Sequence, residues 1–203
     1  TLCAEQEKFK THSHMLNILM SYNPEIIITP LYKKPQKKDD QILLGNKGYF
    51  LKQLYSLSFP VPPGFVLTTE IFRCLEAILG YQEIYQDMNM RLKRELKKLE
   101  KITRRRYGHP QNPLLLSVRS GSAISLPGMM SSFLNVGINE EIAEGLSQKK
   151  GYAWAAWDCY RRFLQFWGMS EGLDRDFFDE IIDDFKEKYK VSKKLYFTPD
   201  QMR

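Results

Sequence analysis

Arg119 closes the apolar run of Leu114, Leu115, Leu116 and Val118, and Ser120, Gly121, Ser122 and Ala123 follow it directly. Residues with so little side-chain bulk let backbone N–H groups approach a ligand closely, as loops that cradle phosphate require. A guanidinium beside bare amides suits a polyphosphate. The next segment, residues 125–132, reads SLPGMMSS. Its Pro-Gly turn signal, with no helical or alternating period, predicts a loop that can fold over something. Taken alone, the stretch reads equally as a β-hairpin with an ordinary turn and a surface arginine. The second cation is Lys47, within Gly45-Asn46-Lys47-Gly48. Phe50, Leu51, Leu54 and Leu57 recur after it at helical spacing, which places Lys47 near a helix N-terminus. Exposed N–H groups and the positive end of the helix dipole favour an anion there, and an ammonium strengthens that preference. In isolation the tetrapeptide also describes a surface lysine beside a capping turn.

The elements that must hold these groups follow from the apolar pattern. The run ending at Arg119 is bounded by Asn112-Pro113 and Ser120-Gly121, which predicts a strand buried on both faces, and Phe133, Leu134 and Val136 resume a strand. Leu43-Leu44 are expected to be extended and to pass into a helix across the glycines. Phe59-Pro60-Val61-Pro62-Pro63-Gly64-Phe65 should be a stiff entry into a strand continued by Val66, Leu67 and Thr68. A helix carrying Ile71, Phe72, Leu75, Ile78 and Leu79 should then end at Gly80. Ile84, Met88, Leu92, Leu96, Leu99 and Ile102 form a clean helical stripe. Beyond Gly137 the chain turns helical, over residues 140–146, 152–167 and 177–189. Ala153, Trp157, Tyr160, Leu164 and Trp167 share one face of the second helix, and Phe178, Ile181, Ile182 and Phe185 should point inward on the third.

The N-terminal part is less eventful. Residues 5–22 suggest a short helix stopped by Asn23-Pro24, Ile26, Ile27 and Ile28 a brief strand-like run, and KKPQKKDD from Lys33 to Asp40 a solvated linker. At the other end, Thr198-Pro199-Asp200-Gln201 reads as N-cap, first-turn proline and capping-box glutamine. A helix is therefore expected to begin as the sequence stops, and the chain is expected to be a piece of a longer protein. The sum is an α+β chain in three parts: an N-terminal extension and linker (1–40), an α+β subdomain (41–138) and a helical subdomain (139–203).

Composition narrows the class. Hydrophobic residues make up 43% of the 203, enough for a real core, and no apolar run approaches the roughly 20 residues needed to cross a bilayer. Cys3, Cys74 and Cys159 are odd in number and far apart, which argues against a disulfide framework or a zinc site and favours a reducing cytoplasm. Between Arg91 and Arg106 nine Lys and Arg stand against Glu95 and Glu100, a surplus of seven beside a net charge of +6 for the whole chain. This basic helix could track nucleic-acid phosphates, but it has no interleaved aromatics, so a solvated face is expected and nucleic acid is not an expected partner. His109, alone beside Pro110, reads as structural, as do Asp158 and Arg162, which can pair four apart along a helix.

The motifs together resemble a known family. SVRSG, LPGMM and LNVG, in that order, look like the ATP-binding domain of pyruvate phosphate dikinase, in the wider family that includes phosphoenolpyruvate synthase, and the Pro-Gly-Met-Met form resembles the dikinase branch. Gly-Asn-Lys-Gly at 45–48 resembles the family's N-terminal motif, PVPPGF its Pro-x-Pro-Pro-Gly-Phe segment, and Asp158-Cys159-Tyr160-Arg161-Arg162-Phe163 its Asp-Ser-Tyr-Arg-Arg-Phe helix. The resemblance, over about residues 43–203, implies the N-terminal part of an ATP-grasp fold. It implies that Lys47 and Arg119 contact the phosphates of ATP in one shared pocket, with Gly128, Met129, Met130, Ser131 and Ser132 lying over them. It further implies Mg2+, with ligands supplied from outside this chain, and transfer of a phosphoryl group to a histidine in another domain of the same polypeptide, toward phosphoenolpyruvate. His12 and His14 do not inherit that role. Where the dikinase pattern usually continues Met-Met-Asp-Thr, this chain has Met130-Ser131-Ser132 and lacks the carboxylate. Two other classes stay open: a non-catalytic nucleotide-sensing module and a nucleic-acid-binding module built on the basic helix.

Overall fold

The computed structural model describes residues 22–120 and 132–203, which fall into two compact units divided after Thr103. The loop residues Gly128, Met129, Met130 and Ser131 lie outside the described residues, as does the helix expected over 5–22 except for Tyr22.

The first unit is built on a small antiparallel pair. Strand β1 (Ile28–Pro30) pairs with β2 (Phe65–Leu67), with Ile28 opposite Leu67 and Pro30 opposite Phe65. The pair continues into Thr68, whose N–H reaches the Ile27 carbonyl at 2.9 Å and whose hydroxyl donates to the Ile26 carbonyl at 2.8 Å. Helix α1 (Gln41–Ser56) begins earlier than the leucine–glycine pattern suggests. Asp40 is its N-cap, the Oδ1 atom accepting from the N–H of Leu43 at 2.7 Å, so Leu43 and Leu44 form a helical first turn instead of an extended segment. The single helix expected after Thr69 is broken at Cys74 into α2 (Glu70–Arg73) and α3 (Leu75–Gly80). Cys74, fully buried, joins Ile27, Ala77, Ile78, Ile84 and Met88 in the core.

The long helix α4 (Gln82–Thr103) follows the predicted stripe: Ile84, Met88 and Leu99 are buried, Leu92 and Leu96 are half-buried, and Ile102 at the last turn is exposed. Two tyrosines fasten the N-terminal segment along it. The Tyr22 hydroxyl donates to Asp87 at 2.6 Å and that of Tyr32 to Glu95 at 2.8 Å. Burial first, and then the accepting carboxylate, raises both phenols above their ordinary range. The 33–40 segment is only partly the solvated linker expected. Its lysines are exposed, but Asp39 is buried against Lys52 of α1.

The second unit opens on the hairpin of β3 (Leu116–Arg119) and β4 (Ser132–Val136), which pair antiparallel with an irregularity between Leu116 and Val118. The expectation of a strand buried on both faces is not met: Leu116 is half-buried and Val118 is 49% exposed. Among the described residues the hairpin's sheet has two strands. Leu115 packs on the core of Ile138, Ile142, Ala143 and Trp157, and Phe133 lies edge-on to Trp167. These contacts group the hairpin with the helices after it, in the compact unit that begins after Thr103.

Helix α5 (Glu140–Ser147) is capped by Asn139, which accepts from the N–H of Ile142 at 2.8 Å. Helix α6 (Ala153–Ser170) buries Trp157 and half-buries Ala153 and Tyr160, but leaves Leu164 and Trp167 exposed. On α7 (Arg175–Tyr189) the inward face expected at four positions is realised at two. Phe178 and Ile182 are half-buried, while Ile181 and Phe185 are exposed. The terminal helix α8 (Pro199–Met202) carries the predicted capping box between Thr198 and Gln201. Among the described residues, two small antiparallel sheets and many helices fit the α+β class.

Candidate functional site

Lys47 stands where α1 bends. Gly45 adopts φ 66 and ψ 164 inside the helix, a conformation essentially confined to glycine, so two helical stretches meet there. Lys47 therefore does lie in the first turn of a helical stretch, the second one, and it is exposed. Both sides of the bend are gripped. The Thr69 N–H donates to the Leu43 carbonyl at 2.9 Å and its hydroxyl to the Ile42 carbonyl at 3.1 Å, tying the first stretch to the end of β2. On the second stretch Gly48 lies so near β2 that a Cβ there would come 2.9 Å from Val66 Cγ2.

Four residues beyond Gly48, Lys52 is 2% exposed, with its ammonium 2.5 Å from Asp39 Oδ2. That oxygen also accepts the N–H of Gln36 at 2.8 Å. Sequence reasoning missed this pair. Its signal was present: Leu44, Gly48 and Lys52, the buried positions of α1 with Gly45, include three spaced by four, so the lysine continues an inward stripe.

Arg119 is the last residue of β3 and pairs across the hairpin with Ser132. It is exposed, and its Nε donates to Ser117 Oγ at 3.2 Å, so the guanidinium turns back along its own strand. The hairpin thus brings two predicted phosphate contacts, Arg119 and Ser132, side by side in the second unit, whereas Lys47 belongs to the first. Among the described residues no three carboxylate, imidazole or thiol groups gather into a metal-binding cluster.

The other candidates resolve into structural roles. His109 Nδ1 accepts the N–H groups of Gln111 and Asn112, each at 3.3 Å, and so shapes a turn. On α4, Arg91 is bound to Asp87 at 2.7 Å and Lys98 to Glu95 at 2.5 Å, while Lys93, Arg94, Lys97 and Lys101 are exposed. Asp158 is more than one half of a helix pair. It is buried and accepts from Arg161 at 3.0 Å, Arg162 at 2.8 Å and Lys194 at 2.9 Å, the last arriving from the turn after α7. Burial alone would raise its carboxyl, but the hydrogen bonds of Lys194 and Arg161 and their charges hold it below the ordinary range.

The chain is 37% identical over 151 residues to the pyruvate, phosphate dikinase of Rhizobium meliloti, covering 74% of the chain and 17% of that relative. It is 38% identical over 164 residues to that of Giardia intestinalis, covering 79% of the chain and 18% of the relative. It is 40% identical over 155 residues to the chloroplastic enzyme of Flaveria pringlei, covering 76% of the chain and 16% of the relative. The chain belongs to the pyruvate, phosphate dikinase family. It spans about a sixth of the length of the relatives it matches. No family model matches it. No described helix is long and apolar enough to cross a membrane.

Proposed function

We propose that this chain is the nucleotide-gripping part of a dikinase-like phosphotransferase, built as the N-terminal portion of an ATP-grasp fold and working in a reducing cytoplasm. The observation that carries the reading is identity of 36–40% to pyruvate, phosphate dikinases over three-quarters of the chain. The site geometry supports it: a lysine in the first turn beyond a glycine bend, and an arginine at the end of a strand opposite a serine. In this reading Lys47, Arg119 and residues 128–132 are the contacts to the phosphates of ATP. The terminal phosphoryl group passes to a histidine in another domain of the polypeptide, and from there toward phosphoenolpyruvate. Mg2+ would neutralise phosphate charge when bound, on ligands outside this chain.

Phosphoryl transfer of this kind depends on positioning and on neutralising charge more than on covalent chemistry by the protein. The share of this chain is therefore to hold ATP. The test is made in a full-length polypeptide carrying it, by following label from γ-phosphate-labelled ATP into protein. Lys47→Ala and Arg119→Ala should each abolish ATP-dependent phosphorylation while circular dichroism shows an intact fold. Undiminished labelling in both variants would refute the assignment.

A further inference from the structure

We infer that the buried Asp39–Lys52 ion pair is a positioning device, setting the bend at residues 45–48 and with it the orientation of Lys47 toward a polyphosphate. The orientation part rests on the reading of Lys47 given above.

The pair is an expensive way to fill space. Asp39 is 6% exposed and Lys52 2% exposed, and while Asp39 Oδ2 is satisfied by Lys52 and the Gln36 N–H, Oδ1 is buried without a hydrogen-bond partner. Well-packed apolar side chains commonly match or exceed the stability of such a pair, so what the ions add is direction. The direction is informative. Asp39 immediately precedes Asp40, the N-cap of the first stretch of α1, while Lys52 belongs to the second stretch, beyond the bend. Along the chain the two stretches join only through Gly45, and a residue without a Cβ leaves that joint broad freedom. Thr69 holds the first stretch by the carbonyls of Ile42 and Leu43. The ion pair holds the second from the same side of the sequence as the cap, closing a bracket across the bend. Lys47 lies inside it, five residues or about 7.5 Å of helix from Lys52.

A structural and a positioning role separate in the doubly substituted chain. Lys52→Met alone strands a buried carboxylate and can unfold the unit, so the informative variant is Asp39→Leu combined with Lys52→Met, which replaces both ions by apolar groups. Its melting temperature should return to within a few degrees of the parent. Amide hydrogen exchange at residues 49–51, the turn after Lys47, should nonetheless be about tenfold faster than in the parent, because the directional tether is gone. Exchange in the double variant equal to the parent at matched melting temperature would overturn the inference. A second arm titrates MgATP by calorimetry into the full-length polypeptide carrying this chain. Weakening of about tenfold or more in the double variant, alongside a comparable loss in Lys47→Ala, supports positioning for phosphate. Loss in Lys47→Ala with parent-like affinity in the double variant overturns the orientation claim alone. Parent-like affinity in Lys47→Ala overturns the ATP reading, leaving the exchange result to decide whether the pair sets the bend.

Discussion

At the residue scale, the decisive groups are small in number and differ in how they are paid for. Lys47 and Arg119 are exposed cations, and the proposal above assigns them to phosphate. Asp158 is the reverse, a buried carboxylate whose worth lies in what it already holds: Arg161, Arg162 and Lys194. Its folded pKa lies below the unfolded one, so its contribution to stability is fully present above about pH 4 and is lost as pH falls through the lower folded value. Asp158→Asn should therefore lower stability at neutral pH and flatten the acid limb of the stability curve below about pH 4. Urea unfolding followed across pH measures both, and an acid limb of unchanged steepness would contradict the hub. A helix pair worth about 0.2–0.5 kcal/mol is what spacing alone suggests here. Burial and Lys194, which comes from 36 residues away, make the group more consequential than that.

At the element scale, α1 shows how a glycine pair shapes a candidate site. Gly45 lets the helix bend and Gly48 lets it lie against Val66. Gly45→Ala places a Cβ on a backbone with φ 66 and ψ 164, which should cost about 1–3 kcal/mol. Thermal unfolding should show the loss, and an alanine variant as stable as the parent would mean that the bend straightens without strain. Pattern reading located the bend and the second helical stretch but assigned an extended segment to Leu43 and Leu44. Two adjacent leucines before a glycine carry no period, and what makes them helical is the Asp40 carboxylate capping the N–H of Leu43. The hairpin at 116–136 was legible for a related reason: its turn signals and apolar runs are local. Its burial was not, because exposure of Val118 depends on how many strands and helices come to lie beside it.

At the scale of the whole chain, magnitudes limit what the site can do unaided. Charge-assisted hydrogen bonds contribute roughly 1.5–3 kcal/mol each, whereas association costs an estimated 4–15 kcal/mol. Two or three such contacts leave little surplus. The 203-residue chain should therefore bind MgATP weakly or immeasurably and show no turnover, and a nanomolar complex by calorimetry would contradict this.

By itself the sequence determined what local chemistry determines: the order of helices and strands from about residue 65 onward, the capping box at Thr198, the glycine bend at Lys47, and the motifs that carry the family. These depend on neighbours within a few positions, where propensity, capping and turn geometry act directly. Tertiary structure decided the rest. It grouped the hairpin with the helices after it, turned the end of an expected linker into a buried partner for Lys52, and made Asp158 a hub. Each of those outcomes depends on removing a charge or an apolar face from water. Solvent exclusion is a property of the folded surroundings, with partners 13 and 36 residues away in these two ion pairs: a stripe spaced by four can mark Lys52 as inward, but it cannot name Asp39 as the partner.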